Sequence, residues 1–299
     1  MLRIRVAAVA IVALAVTALL LAACGGGGGG GGKIGGEMIL ATTTSVNDSG
    51  LLDALVPEFE KATGVNVKVV AVGTGAALQM GKDGNADALF VHAPSSEIAL
   101  VDSGDLINRQ VIAYNDFVIV GPAADPAGLK DAPDAVTAMT RIAPTQSRFI
   151  SRGDDSGTHK RELELWQAAS IEPSGDWYEE SGQGMGATLT IADQKDAYTL
   201  SDRGTFLATG KNLELVIAFE GDPALINLYS VMQVNPSKGN IREAAAKAFV
   251  DFMLQASTQE EIGAFRREEF GRALFTPAGG LSDEQARQRF QQETAAGSS

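Results

Sequence analysis

From Glu37 onward the chain alternates short apolar runs with amphipathic stretches, an order that restricts it to α/β architectures with helices packed on a mostly parallel sheet. Met38 to Ala41 reads as a first strand. Leu51, Leu52, Leu55, Val56 and Phe59 then recur at helical spacing until Gly64 closes the helix, and Pro57 inside it predicts a kink or a frayed bond. Val65 to Val72 is a second strand, Gly73-Thr74-Gly75 opens a short helix, and Ala86 to Val91 is a third strand. Ser95 or Ser96 caps the helix after it.

Phe117 to Val120 reads as a strand ending in Gly121-Pro122, and the Pro/Ala/Asp-rich stretch Ala123 to Pro133 marks a change of composition. A second αβ set follows, with a strand at Phe149-Ile150, a helix over Thr158 to Ala169 and another starting near Met185 to Ala187. Tyr198 to Leu200, Leu213 to Ile217 and Leu228 to Val234 are strands, and helices span Ile241 to Gln255 and Thr258 to Arg266. We expect one lobe over 37–120, a second over 121–227, a return to the first over 228–277, and a loosely ordered polar tail over 278–299. Two such lobes predict a cleft between them, where pockets are favoured. No repeat of 20 to 50 residues suggests a solenoid.

The N-terminal stretch has a different purpose. Arg3 and Arg5 precede an almost continuously apolar run, Val6 to Leu21, which ends in Leu21-Ala22-Ala23-Cys24. This is the pattern of a secretory signal over 1–23, with an uncleaved membrane anchor as the alternative. Cleavage before Cys24 removes two of the 24 basic residues and none of the 37 acidic ones, taking the net charge from −13 to −15. Gly25 to Gly36 contains an unbroken run of eight glycines, and 24–36 reads as a flexible tether. It has neither the preceding strand nor the Lys-Ser/Thr pair of a phosphate-binding loop.

Composition excludes several functions. One Cys rules out a disulfide scaffold, two His make a Cys/His zinc cluster implausible, and the acidic balance argues against nucleic acid. No His-Glu-x-x-His is present to ligate a metal, and no Gly-x-Ser-x-Gly elbow to present a nucleophile. His92 follows an apolar strand and reads as a buried structural residue. His159 is the one candidate base for an exported enzyme acting on a phosphorylated or sulfated small molecule, with Ser156 or a substrate water as its partner.

Four segments share one design, a strand, then small or hydroxyl residues, then a helix start. They are Ala41-Thr42-Thr43-Thr44-Ser45, Gly73-Thr74-Gly75, Ser151 to Thr158, and Gly182 to Thr188. At a helix N-terminus the first N–H groups lack intrahelical partners and the macrodipole is positive, so anions are held there. Each segment taken singly is ordinary capping. Together, with Arg152 among them, they suit a desolvated oxyanion surrounded by neutral donors and one guanidinium. Arg152 can alternatively pair with Asp154 or Asp155, and Arg203, a second candidate cation, with Asp202 or Asp196.

At these segments the chain resembles the substrate-binding lipoproteins of bacterial ABC importers, and in particular their tungstate-binding (TupA-type) branch. The resemblance rests on ILATTTSVNDSGLLDALVPEFEKATG, VKVVAVGTGAALQMGKDGNADALFVHAP, YNDFVIVGP, SRGDDSGTHKRELELW, SGQGMGATL and YTLSDRGTF, and covers about Ile39 to Pro277. It implies a two-lobed, periplasmic-binding-protein-like (type II) fold, each lobe a mixed, mostly parallel sheet flanked by helices, with the ligand in the interlobe cleft. It further implies a non-enzymatic, monomeric protein without cofactor that binds tungstate or molybdate and docks on a membrane permease driven by a separate ATPase. Cys24 becomes the acylated first residue and anchors the chain at the outer face of the membrane.

The family's ligand-binding positions fall on Thr43, Thr44 and Ser45, joined by Thr74 from the same lobe. From the second lobe they fall on Arg152, Ser156 and Thr158, with Gly186, Ala187 and Thr188 completing the cleft and Arg203 and Thr205 as further candidates. Leu228 departs from the expected Pro, and the tail after Pro277 is long. A dianion without protons calls for donors alone, whereas phosphate can present an O–H to an acceptor carboxylate. An Asp154 or Asp155 directed into the cleft therefore favours phosphate, and its absence favours tungstate or molybdate, the leaning to tungstate coming from the resemblance. A lipoprotein presenting its ligand to a sensor is a third reading.

Overall fold

The computed structural model describes residues 33–297; the expected signal segment, Cys24 and most of the glycine tether lie outside them. The tether's last residues are held, Gly35 N–H bonding to Thr63 and the Gly36 carbonyl accepting from Asn66. Strand β1 (Glu37–Thr43) runs into a short helix α1 (Thr44–Asp48) and then α2 (Leu51–Thr63), which Gly64 ends in a left-handed conformation. Pro57 lies within α2 without ending it. Next come β2 (Asn66–Val72), α3 (Thr74–Lys82), β3 (Ala88–Val91) and α4 (Pro94–Asp102).

The sixteen-residue strand β4 (Leu106–Gly121) organises everything after it. The chain continues through α5 (Ala135–Thr145), β5 (Phe149–Ser151), α6 (Gly157–Ala168), β6 (Tyr178–Glu180) and α7 (Met185–Gln194). Then follow β7 (Thr199–Asp202), α8 (Arg203–Thr209), β8 (Val216–Phe219) and β9 (Ile226–Val234). The last elements are α9 (Glu243–Met253), α10 (Ala256–Ala264), α11 (Arg267–Phe270), β10 (Thr276–Pro277) and α12 (Asp283–Gly297).

The first lobe is a sheet in the order β10-β4-β9-β3-β1-β2. Over Leu106 to Asp116, β4 pairs with β9; from Phe117 onward the same strand pairs with β7 and β8 and so belongs to the second lobe. There β5 and β6 form a parallel pair, and Phe149 bridges to Tyr198. The sheets are mixed, but parallel pairing is confined to β1 with β2 and β3, to β5 with β6 and to that bridge. The antiparallel share exceeds the expected one because β4 and β9 run antiparallel to each other, and β4 meets β7, β8 and β10 and β9 meets β3 the same way.

Apolar periodicity explains the layers. Leu51, Leu52, Leu55 and Phe59 of α2 bury one helical face against the sheet and α9, where Phe59 meets Phe249 edge-on at 5.2 Å. Ala77 and Leu78 of α3 cover the opposite face with Leu89 and Leu106. In the second lobe Phe149, Trp166, Trp177 and Tyr198 form the centre of a separate core.

Several elements depart from the sequence expectation: Ala93, not Ser95 or Ser96, precedes the first turn of α4, β8 begins at Val216 rather than Leu213, and β6 and α8 are additional; three further departures are larger. Strand β4 is four times longer than Phe117 to Val120, because two register shifts break its alternation and hide it among polar residues. Helix α5 was not expected at all; Asp134 caps it, accepting from Thr137 N–H at 2.6 Å, and Ala135, Ala138, Met139 and Ile142 are its buried stripe. The tail is not loose. Ala286 and Phe290, four residues apart on α12, are buried with Tyr114, Ile226 and Leu228, while Arg109 grips Asp283 through two bonds and Tyr114 donates to Glu293 at 2.6 Å.

Candidate functional site

The lobes meet where the starts of α1, α3 and α6 come together beside the end of β3. Thr43, at the end of β1, accepts from Val46 N–H, and its hydroxyl lies 3.1 Å from that of Ser45; Thr44 is half-buried beside them. Ser45 lies 3.0 Å from His92 Nε2. Across the cleft, Gly157 N–H at the first turn of α6 donates to Thr74 Oγ1 at 2.7 Å. Gly157 is packed so closely that a Cβ there would sit 2.7 Å from His92 Cε1. Only glycine allows this approach of helix to ring.

His92 is buried and continues a chain of hydrogen bonds into the hinge strands. Its Nδ1 lies 3.0 Å from Asn227 Oδ1, and Asn227 donates through Nδ2 to Asn115 Oδ1 and Tyr229 OH. With both amide hydrogens directed elsewhere, Asn227 faces the ring with its oxygen, so neutral His92 keeps its proton on Nδ1 and accepts the Ser45 hydroxyl on Nε2. Thr43 then holds the hydroxyl proton that can turn toward an anion. Burial keeps His92 neutral, lowering its pKa to about 4, with the Arg152 charge acting in the same direction.

Arg152 leaves β5 and is only 2 % exposed. Its Nη2 bonds to Asp154 Oδ2 at 2.5 Å, and Asp154 Oδ1 accepts from Ser156 N–H. The Arg152 Nε is buried and without a protein partner, as are Thr158 Oγ1, Thr205 Oγ1 and Asn115 Nδ2. An unpaired buried polar group costs about 1–3 kcal/mol, so these groups mark space suited to a polar ligand. Ser156 caps α6, its hydroxyl accepting from His159 N–H.

Other expected residues are engaged differently. Arg203 binds Asp116 through Nε at 2.6 Å and Nη2 at 2.5 Å, and also Glu220 at 2.5 Å. Its expected partners, Asp202 and Asp196, are not the ones it takes, and with two carboxylates upon it this guanidinium is no free cation for a ligand. Thr188 is buried and bonds to Ser181 Oγ and Gly184 O; Ala187 is exposed, and Gly186 faces Thr209 at 3.9 Å from its would-be Cβ. Their link to the cluster is indirect, through Ser181, whose hydroxyl donates to the Arg152 carbonyl. His159 does not activate Ser156, since its Nδ1 accepts from Asp155 N–H. Asp154 turns to Arg152, and Asp155 pairs with Lys160 at the surface.

Sequence reasoning missed Asn115, Asn227 and Asp202. Asp202 is buried at the end of β7; its Oδ1 caps α8 by accepting from Thr205 N–H at 2.8 Å, and burial raises its pKa. A pair of polar residues interrupting an apolar strand, as Asn115-Asp116 interrupts β4, was the available signal for the first of these. Among the described residues no group of His, Cys, Asp and Glu is placed to hold a metal ion, and no helix is long and apolar enough to cross a membrane.

Crossing strands, two lobes and a buried guanidinium among open donors define a two-lobed binding protein with an anion-adapted cleft. The chain belongs to the PBP superfamily, whose domain model matches residues 27–257, and within it to the TupA-type family. It is 50% identical over 275 residues, 91% of this chain and 96% of the relative, to the tungstate-binding protein TupA of Peptoclostridium acidaminophilum. Among solved structures, the tungstate ABC transporter structure from Geobacter sulfurreducens is 46% identical, covering 77% of this chain and 98% of that one with a TM-score of 0.70. The tungstate-binding protein TupA from Desulfovibrio alaskensis is 44% identical, with 81% and 99% covered and a TM-score of 0.69. These relatives are named for binding and transport rather than for catalysis.

Proposed function

We propose that this chain is an extracytoplasmic solute-binding protein that captures a tetrahedral oxyanion, tungstate foremost, and delivers it to an ABC permease with its ATPase. The observation that carries the reading is Arg152, buried with Nε unpaired beside open hydroxyls. In a chain of net charge −13 an anion cannot be gathered by the overall field, so local donors must supply the attraction. Thr43, Thr44, Ser45 and Thr74 act from one lobe, and Arg152, Ser156, Thr158 and Thr205 from the other. Gly186 to Thr188 support the Arg152 loop. The names of the relatives favour tungstate over molybdate, and Asp154, which bonds both Arg152 and Ser156, must release these two donors to admit an anion. The lobes are divided near residues 120 and 227, and the protein acts as a monomer.

Titration of the tag-free mature chain with tungstate, molybdate, sulfate and phosphate tests the reading. One-to-one binding of tungstate, with the folded state stabilised by about 2.7 kcal/mol at a hundredfold excess over Kd, is the expected result. Failure of every anion to bind would reject it. The same reading makes Cys24 the acylated anchor; metabolic fatty-acid labelling that persists in Cys24→Ala would reject that part alone.

A further inference from the structure

We infer that Asp202 contacts the bound oxyanion and shares one proton with it through Oδ2, so that a dianion enters the cleft together with a proton. This rests on the oxyanion reading and adds a carboxylate to a site otherwise made of donors. Asp202 Oδ1 is committed to Thr205 N–H, whereas Oδ2 is buried without any partner. The groups around it are open in the complementary sense. Asn115 Nδ2 is unpaired, the Thr205 side chain approaches the same carboxylate, and a Cβ on Gly204 would lie 3.3 Å from Asp202 Oδ1 and 3.5 Å from Asn115 Nδ2, which places Asp202 and Asn115 side by side.

No cation neutralises this carboxylate directly. The adjacent Arg203 is spent on Asp116 and Glu220, and Arg152, within electrostatic range, makes its side-chain bond to Asp154. The remaining charged or titratable neighbours are Tyr229 on β9 and, beyond Arg152, His92 at the end of β3. Burial raises the pKa of Asp202, which lowers the cost of placing a proton on it. A dianion beside it adds like-charge repulsion, which a buried pair relieves by holding one proton between them. Tungstate arrives without that proton and draws it from solvent. Hydrogen phosphate carries its own, so Asp202 can receive it as an ionised acceptor.

Calorimetry of tungstate binding to the full mature chain near pH 8, in buffers of different ionisation heat, reads the proton directly. Wild type is expected to take up about one proton, with affinity rising up to about tenfold per unit fall in pH across the linked range. Hydrogen phosphate, wherever it binds, takes up none. Asp202→Asn keeps an acceptor to cap α8 and should bind tungstate with no uptake and a flat pH profile. Binding by wild type without buffer dependence overturns the inference and needs no variant. Uptake that survives in Asp202→Asn but disappears in His92→Gln also overturns it, assigning the proton to His92. If wild type binds no oxyanion at all, the proposed function falls first and this inference with it.

Discussion

The backbone N–H of Gly157 donates to the Thr74 hydroxyl at 2.7 Å, joining the first turns of α6 and α3 across the two lobes. Any separation of the two helix starts breaks this bond, and it depends on Gly157 lying flat against His92. Gly157→Ala should therefore hold the lobes apart and weaken oxyanion binding by at least about tenfold, equivalent to about 1.4 kcal/mol. Calorimetry together with small-angle scattering in saturating ligand checks this; a variant that still contracts and binds normally would show that the contact is incidental.

Arg152 supplies the charged donor of the site. Replacing it with Lys removes the planar fork, and replacing it with Ala removes the charge as well. Both changes should lower affinity at least about tenfold, with Ala the worse, because a charged hydrogen bond contributes about 1.5–3 kcal/mol. Unchanged calorimetric affinity in either variant would retire Arg152 as a ligand.

Arg203 has a structural task. It holds Asp116, the last residue of β4 to pair with β9, against the first turn of α8. Arg203→Met leaves that carboxylate buried and uncompensated, and urea denaturation should show a loss of about 3–5 kcal/mol. A loss below about 1 kcal/mol would equate the pair with an exposed one.

His92 makes stability depend on pH. Its folded pKa, about 4, lies below the ordinary value of 6.5, so the unfolded chain binds more protons between those values. The contribution of this residue is complete above pH 6.5 and is lost as pH falls to about 4, amounting to about 3 kcal/mol. Denaturant melts at pH 7 and pH 4 should show a smaller acid loss in His92→Gln than in wild type; equal losses would mean that His92 does not titrate in this interval.

Much of this arrangement was legible because it is local. Helix starts such as Gly73-Thr74-Gly75 and Ser156-Gly157-Thr158 carry their capping chemistry in consecutive residues, and Leu51, Leu55 and Phe59 announce their face by spacing. What stayed hidden was set by distant partners. Arg203 reads from sequence as a candidate cation or a partner of Asp202 or Asp196, whereas Asp116 and Glu220, from β4 and the loop after β8, are the carboxylates that hold it. Asn115 and Asn227 meet across β4 and β9, 112 residues apart, and no periodicity could pair them. Helix α12 was misjudged because two apolar residues suffice when Arg109 and Tyr114 hold its polar side.

The strand order also governs when this protein can acquire its structure. In the first lobe β3 pairs with β9, and β9 pairs with β4, so the sheet lacks a central strand until residues beyond Val234 have been made. Helix α12, which covers Tyr114 and Leu228 at the crossing, arrives last of all. A growing chain therefore carries its first three strands without a completed core for most of its synthesis. The first-lobe sheet thus closes only after β9 has emerged, whereas the residues of the second-lobe core, Phe117 to Leu225, are all made before it.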